Sequence, residues 1–267
     1  MIQHWALLIE YDGSPFVGWQ RQRNGLSVQG VLENAAAKLN RGEPVASIAA
    51  GRTDAGVHAD GQVALLALPA QYTAGKVRDA LNYHMQPHPV AVLCAALAPD
   101  GWNPRFSAIE RAYRYRILNR PARPTHSLGQ VWHVHRPLDA AAMHQAGQIL
   151  LGQHDFTSFR ATACQAKSPI RTLDKLNVTR TGETIEIIVE ARSFLHHQVR
   201  NIVGTLKLVG EGLWTRSDVA TALAARTRSA AGPTAPAAGL TLTRVTYPAG
   251  LGPEFEEGKE GKGALPP

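Results

Sequence analysis

The chain has 267 residues, of which 44% are hydrophobic. That length allows two modest domains or one large one, and that composition excludes wholesale disorder. The net charge of +7 favours a polyanionic partner. Arginine outnumbers lysine by 21 to 7, and seven arginines but a single acid, Glu110, lie between residues 102 and 136. Because the planar guanidinium suits phosphate and base contacts, this concentration predicts a nucleic-acid surface.

Several classes of protein are disfavoured by what the sequence lacks. Its two cysteines, Cys94 and Cys164, give neither a disulfide framework nor zinc-ligand spacing. The first residues do not have the pattern of a signal peptide, and no apolar stretch approaches the ~20 residues of a membrane span. No Gly-rich loop of the P-loop nucleotidases is present. We therefore expect a cytoplasmic protein.

Strand and helix patterns alternate along the first half of the chain. Residues 5–11 predict a strand that ends at an Asp-Gly turn, and residues 18–25 form a polar, basic loop suited to RNA. Ser27 is a candidate N-cap for a helix, because apolar residues then recur at helical spacing, at Val28, Val31, Leu32, Ala35, Ala36 and Leu39. Further patterns predict a strand over 62–68, a helix over 73–84 and a strand over 90–97.

The second half repeats this alternation. Residues 111–118 predict a strand with Tyr113 and Tyr115 on one face and Arg114 and Arg116 on the other. The remaining predictions are helices over 138–151, 197–209 and 218–225, and strands over 173–179, 184–191 and 240–246. Residues 227–239 are predicted to be a flexible or extended loop, and residues 248–267 a disordered tail. We predict an α+β fold of two ferredoxin-like (RRM-like) halves, residues 1–103 and 104–247.

The most informative segment is the nonapeptide at residues 51–59. It reads Gly51-Arg52-Thr53-Asp54-Ala55-Gly56-Val57-His58-Ala59. The two glycines, Gly51 and Gly56, predict either backbone geometry that a Cβ atom would forbid or close approach of a ligand to the main chain. Arg52 and Asp54 bring a cation and a carboxylate to one small region. Composition alone would also allow a capped loop with a surface ion pair.

This nonapeptide resembles the active-site signature of the tRNA pseudouridine synthase A (TruA) family. Three more blocks resemble family motifs in the same order, namely Phe106-Ser107-Ala108 with Arg111-Ala112-Tyr113-Arg114-Tyr115, residues 154–172, and residues 194–204, which include His196-His197-Gln198-Val199-Arg200. The resemblance covers residues 4–247. One departure is visible, because residues 102–105 read Trp-Asn-Pro-Arg where the family has Phe-His-Ala-Arg. A role for that family histidine therefore does not carry over, whereas Arg105 is kept.

The resemblance implies an enzyme that isomerises uridine to pseudouridine at positions 38, 39 and 40 of the tRNA anticodon stem-loop. It also implies a cleft between the two halves, a homodimer, tRNA as the partner and no cofactor. Asp54, in the first half, would be the nucleophile or the acid/base group, and its exact step stays open. Arg200 would keep Asp54 ionised against desolvation, the alternative being an exposed arginine on a helix face.

The target base must be extruded from a folded stem, which costs a few kcal/mol. Arg52 could fill the vacated space or hold the phosphate of the flipped nucleotide. Tyr113 could stack on the uracil or accept a proton from C5, whereas Tyr115 is predicted to be part of a half-buried strand face. We reject a metal site, because the pairs His133/His135 and His196/His197 have no carboxylate or cysteine at ligand spacing.

Three alternatives remain at this point. A paralogous synthase with another RNA target would share the motifs. A catalytically inactive RNA-binding protein could use the same fold, although the intact signature around Asp54 argues against it. An acid/base hydrolase would normally need a second carboxylate or a metal, and neither is evident in the sequence.

Overall fold

The computed structural model describes residues 1–23 and 25–255. Its strands are β1 (Ile2–Tyr11), β2 (Ser47–Ala49), β3 (His58–Pro69), β4 (Val90–Leu97), β5 (Glu110–Asn119), β6 (Trp132–Val134), β7 (Gly152–Asp155), β8 (Ile170–Leu173), β9 (Lys175–Thr181), β10 (Thr184–Ala191) and β11 (Leu240–Thr246). Its helices are α1 (Val28–Leu39), α2 (Ala74–Met85), α3 (Ala140–Gly147), α4 (Gln198–Gly210) and α5 (Arg216–Ala225). None of these helices combines the length and the apolar composition that a bilayer span requires.

The helices of the first half begin where their capping residues predict. The Ser27 hydroxyl accepts from the Gly30 N–H, and the Thr73 hydroxyl accepts from the Lys76 N–H. Each cap satisfies one of the amides that the first turn of a helix leaves unpaired. The buried residues of α1 are the six that its spacing predicted. The two helix predictions in this half are therefore confirmed.

A single sheet of nine strands runs through both halves of the chain. Its central order is β4-β1-β3-β11-β5-β10-β9, with β2 added to β3 and β6 added to β5, while β7 and β8 form a separate hairpin. The last strand, β11, lies between β3 and β5, parallel to the first and antiparallel to the second. The predicted mixed α+β class is confirmed. The division at residues 103 and 104 stays a prediction.

Two large apolar clusters pack against this sheet. One joins β1, β3 and β4 to α1 and α2, and the other joins β5, β9 and β10 to α3 and α4. Tyr113 packs against both clusters from the middle of β5. The centre of the sheet, where the two halves meet, is thus the place where a residue of one half can face groups of the other.

One expectation about the second half needs correction. The strand predicted over 173–179 is interrupted, because Leu173 ends β8 and β9 begins only at Lys175. Residues 227–239, expected to be a flexible or extended loop, contain two short 3-10 turns joined by an irregular stretch and bury Ala231 and Ala235. The Ala, Pro and Gly content that suggested flexibility instead allows close packing against α4.

The predicted disordered tail, residues 248–267, falls largely outside the described residues. Of its described part, Phe255 packs against a small cluster that contains Trp102.

Candidate active site

Asp54 lies in the turn between β2 and β3. Gly56 has φ +75°, a left-handed conformation that side chains other than glycine rarely adopt. At Gly51 the φ is not positive and a Cβ atom would meet only open space among the described protein atoms. Of the two glycines, only Gly56 is thus required by the backbone, and close approach of a ligand to Gly51 stays a prediction.

The neighbours of Asp54 in sequence are held by buried hydrogen bonds. The Trp19 N–H donates to the Thr53 carbonyl (3.0 Å), and the Thr53 and Tyr11 hydroxyls lie 2.8 Å apart. The Val57 N–H donates to the carbonyl of Asp54 itself (3.1 Å). Burial raises the pKa of Tyr11 to about 12, so its hydroxyl stays protonated. The Asp54 backbone is thus fixed from both sides of the turn.

Three basic side chains from one segment surround the Asp54 carboxylate. Arg200 Nη1 donates to Oδ2 at 3.1 Å. His197 Nε2 lies 3.4 Å from the same oxygen, and His196 Nε2 lies 3.3 Å from Oδ1. Since His197 caps α4 and Arg200 lies in its first turn, the carboxylate also faces the positive end of the helix dipole. The arrangement gives a partly buried carboxylate one guanidinium and two imidazoles as neighbours.

The backbone at His197 is in a strained conformation. Its φ of 62° and ψ of 4° are left-handed, which costs a residue with a Cβ about 1–2 kcal/mol. Burial lowers the pKa of His197, and the opposing effect of Asp54 is smaller. The imidazole is therefore neutral at pH 7 and directed at the acid. Strain of this kind persists only where surrounding contacts hold it, often at functional sites.

The sequence argument against a metal ligand set at this place is wrong in one respect. The donor atoms of Asp54, His196 and His197 lie within 4.8 Å of one another, so a carboxylate does accompany the histidine pair. Two imidazoles and a carboxylate would suit Zn²⁺. The Arg200 guanidinium on Oδ2 opposes a second cation there.

Arg200 is held by residues 227–239 as well as by Asp54. Its Nε donates to the Ala235 carbonyl at 2.8 Å, and the Ala235 N–H donates back to the Arg200 carbonyl at 3.1 Å. The Tyr115 hydroxyl donates to the Pro236 carbonyl at 2.7 Å. Tyr115 is fully buried, not half-buried as expected. The alternative of an exposed, solvated Arg200 does not fit these contacts.

Tyr113 projects toward the same centre from β5. Its ring meets the Phe194 ring edge to face, with centroids 5.2 Å apart. Burial, followed by the nearby Tyr11 and Asp54, raises the pKa of Tyr113 well above its usual range. Its hydroxyl therefore keeps its proton near pH 7. Stacking on a base, or donating a hydrogen bond, fits this state better than accepting a proton.

Comparisons with known proteins place the chain in a family. The family model of tRNA pseudouridine synthase matches residues 7–107 and 146–248. A tRNA pseudouridine synthase A of Acidiphilium cryptum is 67% identical over 92% of this chain and 97% of its own length. A protein of the same name from Rhodospirillum centenum is 61% identical over 92% of this chain and 100% of its own length. Another from Gluconobacter oxydans is 56% identical over 92% of this chain and 90% of its own length.

The chain belongs to the tRNA pseudouridine synthase family. It is an isomerase that acts on tRNA, and the resemblance seen in the sequence is confirmed.

Within this synthase fold, His58 ties three segments to the Asp54 turn. The Gly13 N–H donates to Nδ1 at 3.0 Å, and Asp12 Oδ1 lies 3.1 Å from the same nitrogen. Nε2 faces the carbonyls of Gly129 at 3.0 Å and Ala238 at 3.2 Å. His58 thus fixes the loop after β1, the loop before β6 and residues 227–239 against the start of β3.

The predicted RNA-contacting arginines of the synthase occupy different settings. Arg52 is exposed, and no salt bridge among the described residues joins it to Asp54. Arg114 pairs with Asp60 at 2.9 Å and lies 3.7 Å from Glu186, so its charge is largely compensated. The charge of Arg52 is therefore less compensated than that of Arg114, and a contact of either side chain with RNA stays a prediction.

Sequence reasoning missed Arg111 and the approach of the two histidines to Asp54. The nearly buried Arg111 guanidinium donates to the carbonyls of Arg192, Ala50 and Arg105, at 2.6, 2.8 and 2.7 Å. It joins the chain before Asp54 to the chain before His196. The adjacency of the histidines to Arg200 in one motif was a usable signal. Nothing local indicated the three carbonyls.

Proposed function

We propose that this synthase converts uridines 38, 39 and 40 of the tRNA anticodon stem-loop, with Asp54 as the reacting carboxylate. One observation supports the role of Asp54 above all, the gathering of Arg200, His196 and His197 on a single partly buried acid. Isomerisation requires a carboxylate that stays ionised in a site closed by RNA. The three contacts and the helix dipole supply that condition.

The remaining roles follow from position. Tyr113 stacks on the extruded uracil beside Phe194, and exposed Arg52 contacts the backbone of the flipped nucleotide. Arg200 neutralises the Oδ2 side of Asp54, which leaves Oδ1 beside the more exposed His196 as the oxygen open to substrate. We also propose that the protein is cytoplasmic and that it forms a homodimer. Light scattering of the purified protein tests the homodimer.

The test maps pseudouridine in tRNA transcripts that carry uridine at 38, 39 or 40, after incubation with the protein. Modification at those positions, and none in transcripts with cytidine there, is the expected result. Modification confined to other positions, or to a different RNA, would indicate a paralogous specificity. Binding without any modification by a folded protein would indicate an inactive RNA-binding protein.

A further inference from the structure

One aromatic side chain, that of Phe106, is exposed on the turn before β5. About 75% of its surface is accessible, and no apolar cluster of the described residues includes it. The Arg105 guanidinium lies over the ring, with its central carbon 5.7 Å from the ring centroid. A single exposed apolar residue needs no explanation by itself. The surroundings of Phe106, however, point to a ligand in two independent ways.

The first is that the Phe106 turn, residues 103–107, is fixed by hydrogen bonds. The side-chain oxygen of Asn103 accepts from the N–H groups of Arg105 at 2.9 Å and Phe106 at 3.2 Å. The Tyr247 hydroxyl donates to the Pro104 carbonyl at 2.9 Å. The exposed ring is therefore presented on a preorganised turn, which reduces the conformational entropy lost when a partner binds.

Arg111 places this turn beside the chain that leads into the active site. Its Nη2 atom donates to the carbonyls of Arg105 at 2.7 Å and Ala50 at 2.8 Å. Its Nη1 atom donates to the carbonyl of Arg192 at 2.6 Å. Ala50 lies four residues before Asp54. Because one guanidinium contacts all three carbonyls, the Phe106 turn and Arg192 border the segment that carries Asp54.

The second is that the positive charges gathered here are uncompensated. Among the described residues, no salt bridge joins Arg105, Arg111 or Arg192 to a carboxylate, although Arg114 and Arg120 each pair with one. Burial lowers the pKa of Arg111, and the charges of Arg105 and Arg192 act in the same direction. The three groups therefore lie close enough to repel one another. A phosphate bound between the exposed side chains would offset that repulsion.

We propose that Phe106, Arg105 and Arg192 bind an unpaired nucleotide of the tRNA next to the target uridine. Its base stacks on the Phe106 ring, and the two exposed guanidinium groups contact the phosphates on either side. Aromatic rings and arginines are the side chains on which unpaired RNA bases stack. The unpaired cations favour such an anionic partner over a second copy of this basic chain. Only the placement next to the target rests on the proposed role of Asp54.

The first experiment measures the Kd for tRNA by filter binding. Phe106→Leu keeps an apolar side chain but lacks an aromatic face, so its Kd should rise by about fivefold or more, the effect of losing one stacked base. Phe106→Trp keeps the face and should bind within about twofold of wild type. Tyr83→Leu is the matched control, because Tyr83 is 72% exposed but lies on α2, and its Kd should not change.

The second experiment separates phosphate contacts from stacking. Arg105→Gln and Arg192→Gln should each flatten the slope of log affinity against log salt by roughly 0.7–0.9, whereas Phe106→Leu removes no charge and should not. Since Arg111 is held by main-chain carbonyls, both arginine variants keep its hydrogen bonds.

The third experiment locates the stacked base. Abasic nucleotides are placed in turn at the positions beside the modified uridine, and each transcript is bound to wild type and to Phe106→Leu. At one position the abasic change should weaken binding of wild type but have little further effect on Phe106→Leu, because both changes remove the same contact.

The proposal is overturned if Phe106→Leu binds tRNA as wild type does, or if Phe106→Trp or Tyr83→Leu loses as much affinity as Phe106→Leu. Additive losses at every abasic position would also overturn it. If Phe106→Leu turned a wild-type dimer into a monomer in light scattering, the surface would be an interface between copies and not an RNA contact. If Asp54→Asn retains turnover, the proposed active site fails, whereas the Kd values still test the stacking.

Discussion

Two arginine–aspartate pairs in this molecule have nearly the same contact distance, but they differ in solvent exposure and in the elements that hold them. Arg114 meets Asp60 at 2.9 Å, with 25% and 52% of the two side chains exposed. Arg200 meets Asp54 at 3.1 Å, with 15% and 22% exposed. Asp60 lies on β3 and Arg114 on β5, whereas Asp54 lies in a turn and Arg200 in the first turn of a helix.

The shorter contact, between Arg114 and Asp60, is also the more exposed one, so its distance alone does not make it the stronger interaction. Solvent screens the exposed pair, and Glu186 shares its arginine. Around Asp54, partial burial strengthens every charge interaction, and two imidazoles compete for the same carboxylate. A solvated acid is ionised at neutral pH without partners, whereas an acid in a partly closed site needs nearby cations to offset the loss of hydration.

The largest expected difference concerns the two acids. Asp54→Asn keeps the shape but removes charge and basicity, so turnover should fall by on the order of 10²–10⁴-fold or more while tRNA binding survives. Asp60→Asn, the matched control, should remain near wild type. Single-turnover pseudouridine formation at saturating enzyme measures both. Turnover of Asp54→Asn within tenfold of wild type would show that another group reacts.

The two arginines should differ in their effect on the pH profile. Arg200→Met removes the cation that favours the charged carboxylate, so the acid limb of the rate profile should move to higher pH. Arg114→Met should leave the limb in place. Rates between pH 5 and 8 under single-turnover conditions provide the measurement. A profile of unchanged shape with weaker tRNA binding would instead make Arg200 a phosphate contact.

A smaller effect should distinguish compensated from uncompensated arginines in RNA binding. Arg52→Ala should reduce the slope of log affinity against log salt concentration by roughly 0.7–0.9, the value for one lost phosphate contact. Arg114→Ala should change the slope less, because Asp60 and Glu186 already balance its charge. Filter binding of tRNA across a salt series gives both slopes, and equal reductions would contradict this distinction.

The smallest effect is expected for the stability of the exposed pair. A double-mutant cycle of Arg114→Met and Asp60→Asn, followed by urea unfolding, should give a coupling below about 1 kcal/mol. A coupling of about 2 kcal/mol or more would show that the solvent screening inferred from exposure is absent.

Local chemistry allowed much of the secondary structure to be predicted. The spacing of apolar residues and the capping residues Ser27 and Thr73 placed α1 and α2, and β-branched runs placed β4, β10 and β11. These features depend on neighbours within a few residues. The short strands β2, β7 and β8 were missed, because three or four residues carry too little periodicity.

The site was harder to predict because its parts are distant in sequence. Asp54 and Arg200 are separated by 146 residues, and only the family motifs suggested that they meet. The carbonyls of Ala235 and Pro236 at the site depend on how residues 227–239 pack, and their composition pointed to flexibility. Composition also does not reveal which glycine of the pair Gly51 and Gly56 carries the positive φ.

The position of β11 has a consequence for how the enzyme is made. This strand is the last element of the described chain, yet it occupies the middle of the sheet, where it pairs with β3 and β5. While the ribosome is still adding residues 240–246, β3 and β5 each present an unpaired edge at the centre of the molecule. The Ala235 carbonyl that holds Arg200 lies five residues before this strand. A chain that stops before residue 240 therefore lacks the strand that joins β3 to β5 next to the contacts of Arg200.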